Sequence, residues 1–185
     1  LHLCDRRQRQ MCIRDRDISD ITETGWVKDY ILTDEIIKCL DATEGPDYVY
    51  TISVQGHGDY STEPILDDPQ ITVTGAEDRE KNNYSWEYYV NQIHEMDIFV
   101  KELTTKLADY PEPVVLVMYG DHLPTMGLKV EDLENRYLYQ TEYVIWDNMG
   151  LKRKQENIAS YQIAAEVMNL SLIHISEPTR LDVIS

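Results

Sequence analysis

The run Val114–Met118, led in by Pro113 and closed by Tyr119-Gly120-Asp121-His122, constrains this chain more than any other stretch. Consecutive aliphatic and β-branched residues over so short a span suit a β-strand covered on both faces, and the run is far too short to cross a bilayer. The tip of this run is unusual. A carboxylate and an imidazole stand side by side at the end of an apolar segment, where ionisable groups are costly unless something compensates them. A bound cation is one compensator, and a solvated, ion-paired loop is the other.

The same pattern occurs earlier. Tyr48–Val54 is mostly apolar and β-rich, and it halts at Gln55-Gly56-His57-Gly58. Thr141–Trp146 is a third strand candidate. Helical periodicity separates them. Thr33 or Asp34 is placed to cap a helix whose apolar face is Ile36, Ile37 and Leu40, ended by Gly45-Pro46. Asn82–Asp109 carries Trp86, Tyr89, Val90, Ile93, Met96, Val100, Leu103 and Leu107 at helical spacing, with Ser85 as N-cap and Tyr110-Pro111-Glu112-Pro113 as the stop. Glu63–Arg79 reads as a polar loop, and Asn157–Met168 as a last helix. Strands alternating with helices predict an α/β layered fold with a mainly parallel sheet flanked by helices. Ligands gather beyond the carboxyl ends of such strands, which is where His57 and Asp121-His122 fall.

The two ends read differently from the middle. Residues 1–16 match the translation of a transposase-based sequencing adaptor and residues 170–185 that of the opposite adaptor, so both are expected to be non-native. On that reading the basic arm Arg6–Arg16 is no nucleic-acid signal, and Cys39 is the one cysteine left, which excludes an internal disulfide framework. The whole chain carries a net charge of −17. Its ends hold six arginines against four acidic residues, so residues 17–169 carry −19. Such acidity argues against binding nucleic acid or an anionic membrane face.

Asp121 and His122 are the leading candidates for chemistry. A carboxylate oxygen and an imidazole nitrogen are good ligands for a divalent cation, and Gly120 is expected to let the backbone turn so that both side chains converge. The competing reading makes Asp121 a turn cap and His122 an exposed loop residue. His57, flanked by glycines at a strand terminus, is placed to donate to an anionic oxygen, or is an ordinary turn histidine. His94 is expected on a solvated helix edge, Cys39 in packing, and Glu131, Asp132 and Glu134 on a solvated face. Thr125 has no base within local reach to make it a nucleophile.

Four segments in order, "YVYTISVQGHGDY", "YYVNQIHEMDIFVKEL", "PVVLVMYGDHLP" and "TEYVIWDNMG", resemble the lipoteichoic-acid-synthase-like, phosphoglycerol-transferring branch of the sulfatase/alkaline-phosphatase superfamily. "GWVKDYILTDEIIKCL" resembles the segment that precedes the histidine strand there. The resemblance implies a partial alkaline-phosphatase/sulfatase-like fold, with 17–169 the C-terminal part of a sulfatase-like catalytic domain. It gives Asp121 and His122 the role of metal ligands and His57 that of a substrate contact. The implied cofactor is a divalent metal ion, manganese first, with magnesium, zinc or calcium as alternatives. The implied partner is a phosphoglycerol lipid, polymer or other anionic ester. The family's threonine nucleophile and remaining acidic ligand are expected upstream of this sequence, so the parent protein is expected to be the enzyme, a phosphoglycerol transferase or a sulfatase-like hydrolase of phosphate or sulfate esters, and this piece inactive by itself. By the same resemblance the parent is expected at the extracytoplasmic face of the cell membrane, held by N-terminal helices. From the residues alone, a non-enzymatic α/β binding or scaffold module stays open.

Overall fold

The structure is a computed structural model that describes residues 19–58 and 60–175, with side chains as far as residue 170. Residues 1–16, read above as adaptor-derived, lie outside the described residues, as does most of 170–185. The chain divides into two units, one formed by residues up to Leu103 together with Pro124–Leu138, the other by Thr104–Leu123 together with the chain from Tyr139 onward.

In the first unit, helix α1 (Ile31–Leu40) begins ahead of the expected Thr33 or Asp34 cap. Leu32 and Thr33 are its buried residues, while Ile36, Ile37 and Leu40 are only half-buried. The long helix α2 (Asn83–Ala108) matches its periodicity to within a residue at each end. Its cap differs from expectation. The Asn82 side-chain oxygen accepts from the N–H groups of Tyr84 and Ser85, the geometry of an N-cap that satisfies otherwise orphaned donors. Ser85 is instead fully buried, and its hydroxyl donates to the Ser61 carbonyl at 2.8 Å.

The interior face of α2 is more polar than its pattern of apolar residues suggests. Tyr88, Phe99 and Leu103 are buried, but so are Asn91 and Gln92, while Ile93 and Ile98 are exposed. Buried amides are tolerated when hydrogen bonds replace the lost water, as they do most fully at Asn91. The Asn91 side-chain oxygen accepts from the N–H groups of Gln70 and Ile71, and its nitrogen donates to the carbonyls of Ile71 and Glu87. Three of these bonds hold the polar loop against the helix, and the fourth, to Glu87, lies within the helix itself. A small aromatic core lies nearby. Tyr60, Tyr88 and Met126 are buried together, with Trp86, Tyr89, Ile65, Leu66 and Leu128 packed around them.

The second unit contains the last turn of α2, strands β1 (Val115–Tyr119) and β2 (Tyr143–Asp147), and helix α3 (Ile163–Ile175), which packs on β1. A single residue organises its entry. The Asn148 side-chain nitrogen donates to the carbonyls of Leu107, Tyr110 and Glu112, and its oxygen accepts from the Val114 N–H at 2.8 Å. One amide thus closes the carbonyl end of α2 and starts β1.

The sheet corrects the sequence-based fold class. Strands β1 and β2 pair antiparallel, with Val115 opposite Asp147 and Tyr119 opposite Tyr143. They form a two-stranded sheet with flanking helices, not a mainly parallel layered sheet. Parallel pairing needs a crossover, usually a helix, between the strands. The connection here holds only the short 3-10 turn Val130–Asp132, so the second strand returns beside the first in the opposite direction. Nor does Tyr48–Val54 form a strand. Tyr48, Tyr50 and Ile52 are exposed, and apolar residues without a covering layer gain nothing from the strand geometry that their composition favours. Residues Val115–Met118 of β1 are half-buried, short of the full cover their composition suggests.

Asn91→Ala leaves two backbone N–H groups and the Ile71 carbonyl without their side-chain partner, while the Glu87 carbonyl keeps its helical bond. We expect it to lower unfolding stability by about 3 kcal/mol, from about 1–3 kcal/mol per buried unsatisfied group with partial relaxation. Urea unfolding followed by far-UV circular dichroism measures this, and a change within about 0.5 kcal/mol, the range of an ordinary surface substitution, contradicts the role given to Asn91.

Candidate functional site

The backbone leaves β1 at Tyr119 and is clamped at Gly120. The Gly120 N–H donates to the Glu142 carbonyl at 3.2 Å, and the Thr141 hydroxyl donates to the Gly120 carbonyl at 2.7 Å. Gly120 is not among the glycines with positive φ, and a Cβ there meets Thr141 only at 3.5 Å, an ordinary contact. The turn toward Asp121 therefore does not depend on glycine's conformational freedom, contrary to the sequence-based expectation.

Beyond the clamp, Asp121 Oδ1 and His122 Nε2 lie 3.6 Å apart. His122 Nδ1 lies 2.8 Å from the Leu123 carbonyl oxygen. A carbonyl only accepts, so Nδ1 carries the proton, and in the neutral ring Nε2 presents its lone pair. A carboxylate oxygen and an imidazole lone pair then face one another, an arrangement that a proton or a cation between them makes favourable. Two ligands of one ion at about 2.1 Å are separated by roughly 3–3.5 Å, so the observed 3.6 Å lies just beyond the spacing of two adjacent positions of a coordination sphere. A backbone carbonyl that fixes the ring through its other nitrogen is also the usual support of a ligating histidine. Both side chains are well exposed, at 84% for Asp121 and 54% for His122, so as a bare ion pair they contribute little to stability. Among the described residues no group of three or more His, Cys, Asp or Glu is placed to hold a metal. The donor set present fits two ligands of a divalent ion.

His57 belongs to the first unit. It is exposed and stands in a tight turn, its N–H donating to the Val54 carbonyl at 3.0 Å. Its ring meets the indole of Trp26 edge-on, with centroids 4.9 Å apart and planes at 68°. Trp26 carried no mark in the sequence as a partner of His57. The available signal was Gly25, whose positive φ belongs to the turn that leads into Trp26. That turn is held by the Thr22 N–H to the Trp26 carbonyl and by the Thr24 hydroxyl against the Tyr88 hydroxyl at 2.7 Å. Gly58 is required here. Its φ is +138°, and a Cβ would meet Trp26 Nε1 at 2.5 Å.

The approach to His57 is a buried polar network. Gln55 is 1% exposed. Its side-chain oxygen accepts from the Asp29 N–H at 2.7 Å, and its nitrogen donates to Gln92 Oε1 and to Glu95. Glu95 also receives Lys28 Nζ at 3.0 Å. Asp29, equally buried, accepts from the Ser53 hydroxyl and the Val54 N–H. Loss of water raises the Asp29 carboxyl above its ordinary 3.8, against the bonds from Ser53, Val54 and the Gln55 backbone, which lower it. Tyr60 closes the far side of the turn, donating to the Gly56 carbonyl at 2.8 Å, with burial pushing its hydroxyl up to about 12.

The remaining sequence candidates fall elsewhere. His94 and Thr125 are exposed, and Cys39 is half-buried on α1. Asp132 turns back on the Lys129 N–H and meets Arg79 at 3.4 Å, an ordinary surface pair.

The two glycines should separate under substitution. Gly58→Ala, with both an unfavourable φ and an indole in the way, is expected to lower stability by about 1–3 kcal/mol, whereas Gly120→Ala should change it by less than about 0.5 kcal/mol. Thermal unfolding of the two variants checks this, and equal losses would contradict it. The Asp29 carboxyl gives a pH test. Because the folded state holds its proton above 3.8, where the unfolded chain has lost it, the stability Asp29 supplies is complete below 3.8 and declines as pH rises through the folded value. Asp29→Asn removes that decline, so its stability relative to wild type should increase from acid pH upward. Parallel stability–pH curves for the two proteins would show that Asp29 carries no such shift.

Comparison with known proteins adds the family. The sulfatase family profile matches residues 3–172. The putative cyclic beta-1,2-glucan modification protein of Rhizobium meliloti (strain 1021) is 27% identical over 158 residues, covering 75% of this chain and 24% of its own length. The chain thus spans about a quarter of the curated relative it matches. No solved structure matches at a significant level. A profile match that runs through the His57 turn, helix α2 and the Asp121-His122 tip together means that this chain belongs to the sulfatase family.

Proposed function

We propose that this chain carries part of the catalytic machinery of a metal-dependent enzyme acting on phosphate or sulfate esters, with phosphoglycerol transfer as its reaction. The observation that carries the reading is the meeting of Asp121 Oδ1 and His122 Nε2 at 3.6 Å, with the imidazole fixed through Nδ1 on the Leu123 carbonyl. Membership of the sulfatase family supports the ester class. Asp121 offers a carboxylate oxygen and His122 an imidazole lone pair, a mixed O,N set suited to manganese, with magnesium, zinc and calcium as alternatives. A divalent cation bound there supplies Lewis-acid stabilisation of charge on the ester oxygens. His57 serves as a hydrogen-bond donor to an anionic oxygen of the substrate, its ring backed by Trp26. The acceptor of the transferred group is a sugar hydroxyl of a glucan, a choice supported by the name of the Rhizobium relative. The working enzyme stands at the outer face of the cell membrane. Among the described residues no helix is long and apolar enough to cross a membrane.

A second reading, a non-enzymatic binding module, has one observation in its favour. Asp121 and His122 are both well exposed, as in an ordinary loop. Titration calorimetry with Mn²⁺ on the full chain separates the two. Loss of one of two protein ligands should weaken binding by tenfold or more, about 1.4 kcal/mol or greater, in Asp121→Asn and in His122→Ala. Identical heats in wild type and His122→Ala would remove the enzymatic reading.

A further inference from the structure

The residues that lead into His57 are held by a carboxyl group for which the proposed chemistry has no use. Asp29 precedes α1 and is buried, yet among the described residues it makes no ion pair, the neighbouring Lys28 being committed to Glu95. Its two oxygens are spent on one short stretch of chain. Oδ2 accepts from the Ser53 hydroxyl and Oδ1 from the Val54 N–H, while its own N–H is spent on the Gln55 side chain. Three consecutive residues are thereby fixed immediately before Gly56-His57-Gly58. Val54 is held by Asp29 on its N–H and accepts from the His57 N–H on its carbonyl. A displacement of Val54 is therefore passed directly to His57. On the other side, Gly58 packs so closely against the Trp26 indole that a Cβ there would meet Nε1 at 2.5 Å. The residues that fix the turn and the residue it packs against both come from the chain between Trp26 and Asp29.

We propose that Asp29 is a positioning residue, which holds Ser53–Gln55 so that the His57 ring stands against Trp26 in the orientation the substrate's anionic oxygen meets. The contact with substrate rests on the function proposed above, and the orientation of the ring does not. A carboxyl buried merely for packing would leave the His57 ring where it is when replaced. A positioning carboxyl would not.

The test is made on the full chain by NMR of the histidine ring protons, with the His57 signals assigned through His57→Gln. The Trp26 ring current displaces those signals from the free-histidine position. Asp29→Ala removes both acceptors and is expected to abolish most of that displacement. Asp29→Asn keeps an oxygen for the Val54 N–H and offers its amide to the Ser53 hydroxyl, which can accept as well as donate, so it should restore the wild-type signals. His57 signals unmoved in a folded Asp29→Ala protein would overturn the proposal. If Asp29→Ala fails to fold by circular dichroism, Ser53→Ala replaces it, for it removes one donor and no charge. It should shift the His57 signals part of the way, and their coincidence with wild type would likewise overturn the proposal.

Titration with glycerol phosphate supplies the second arm, read on the same His57 signals. Asp29→Ala should bind it about tenfold more weakly, with Asp29→Asn close to wild type. Absence of binding to the wild type, together with moved ring signals in Asp29→Ala, would leave Asp29 as the positioning group and overturn the substrate role of His57. Binding of equal strength in wild type and Asp29→Ala would overturn the positioning role.

Discussion

The architecture depends on carboxamides, buried at Gln55 and Asn91 and half-buried at Asn148, that each bond several groups at once. Gln55 joins the segment before His57 to the start of α1 and to α2 at once, through one accepted and two donated bonds. Asn91 does the same for the polar loop and Asn148 for the junction of α2 with β1. A carboxamide carries no charge to desolvate and presents two acceptor and two donor positions, so one side chain satisfies several backbone groups that no helix or sheet serves. Losing any of these bonds leaves a polar group uncompensated, which makes these residues geometrically exacting. That exactness lets loops of little apolar content hold a defined shape.

This is also why part of the fold was legible in the sequence and part was not. The apolar periodicity of α2 and the runs at Val114–Met118 and Thr141–Trp146 located α2, β1 and β2 to within a residue or two, because apolar patterning is what a sequence displays directly. The interior role of Ser85, Asn91 and Gln92 was not readable. A buried amide and a solvated one look alike until their partners are known. Pairing direction was equally hidden, since residue types fix strand propensity but not the neighbour a strand finds. Tyr48–Val54 shows the converse error, a β-rich composition with no layer to cover it.

The candidate site divides along the same line. Asp121 and His122 were legible because both chemistry and spacing lie in adjacent residues, and their side chains do approach one another. The Leu123 carbonyl that fixes the His122 tautomer is a backbone group and leaves no sequence signal. Around His57 the imidazole was visible, but its supports were not. Trp26 and Asp29 lie 31 and 28 positions earlier in the sequence and follow a turn that contains Gly25.

The two-stranded sheet has a consequence for how this protein behaves in bulk. Each strand pairs on one side only among the described residues, and an unsatisfied β-edge is a template for another copy. Against that stands the strong excess of acidic residues, which makes every pair of molecules repel at long range. Colloidal stability here is therefore an ionic-strength property. Salt that shortens the screening length toward a few ångströms exposes the sticky edges to one another, so concentrated, high-salt solutions are where this molecule turns from a solute into an assembly.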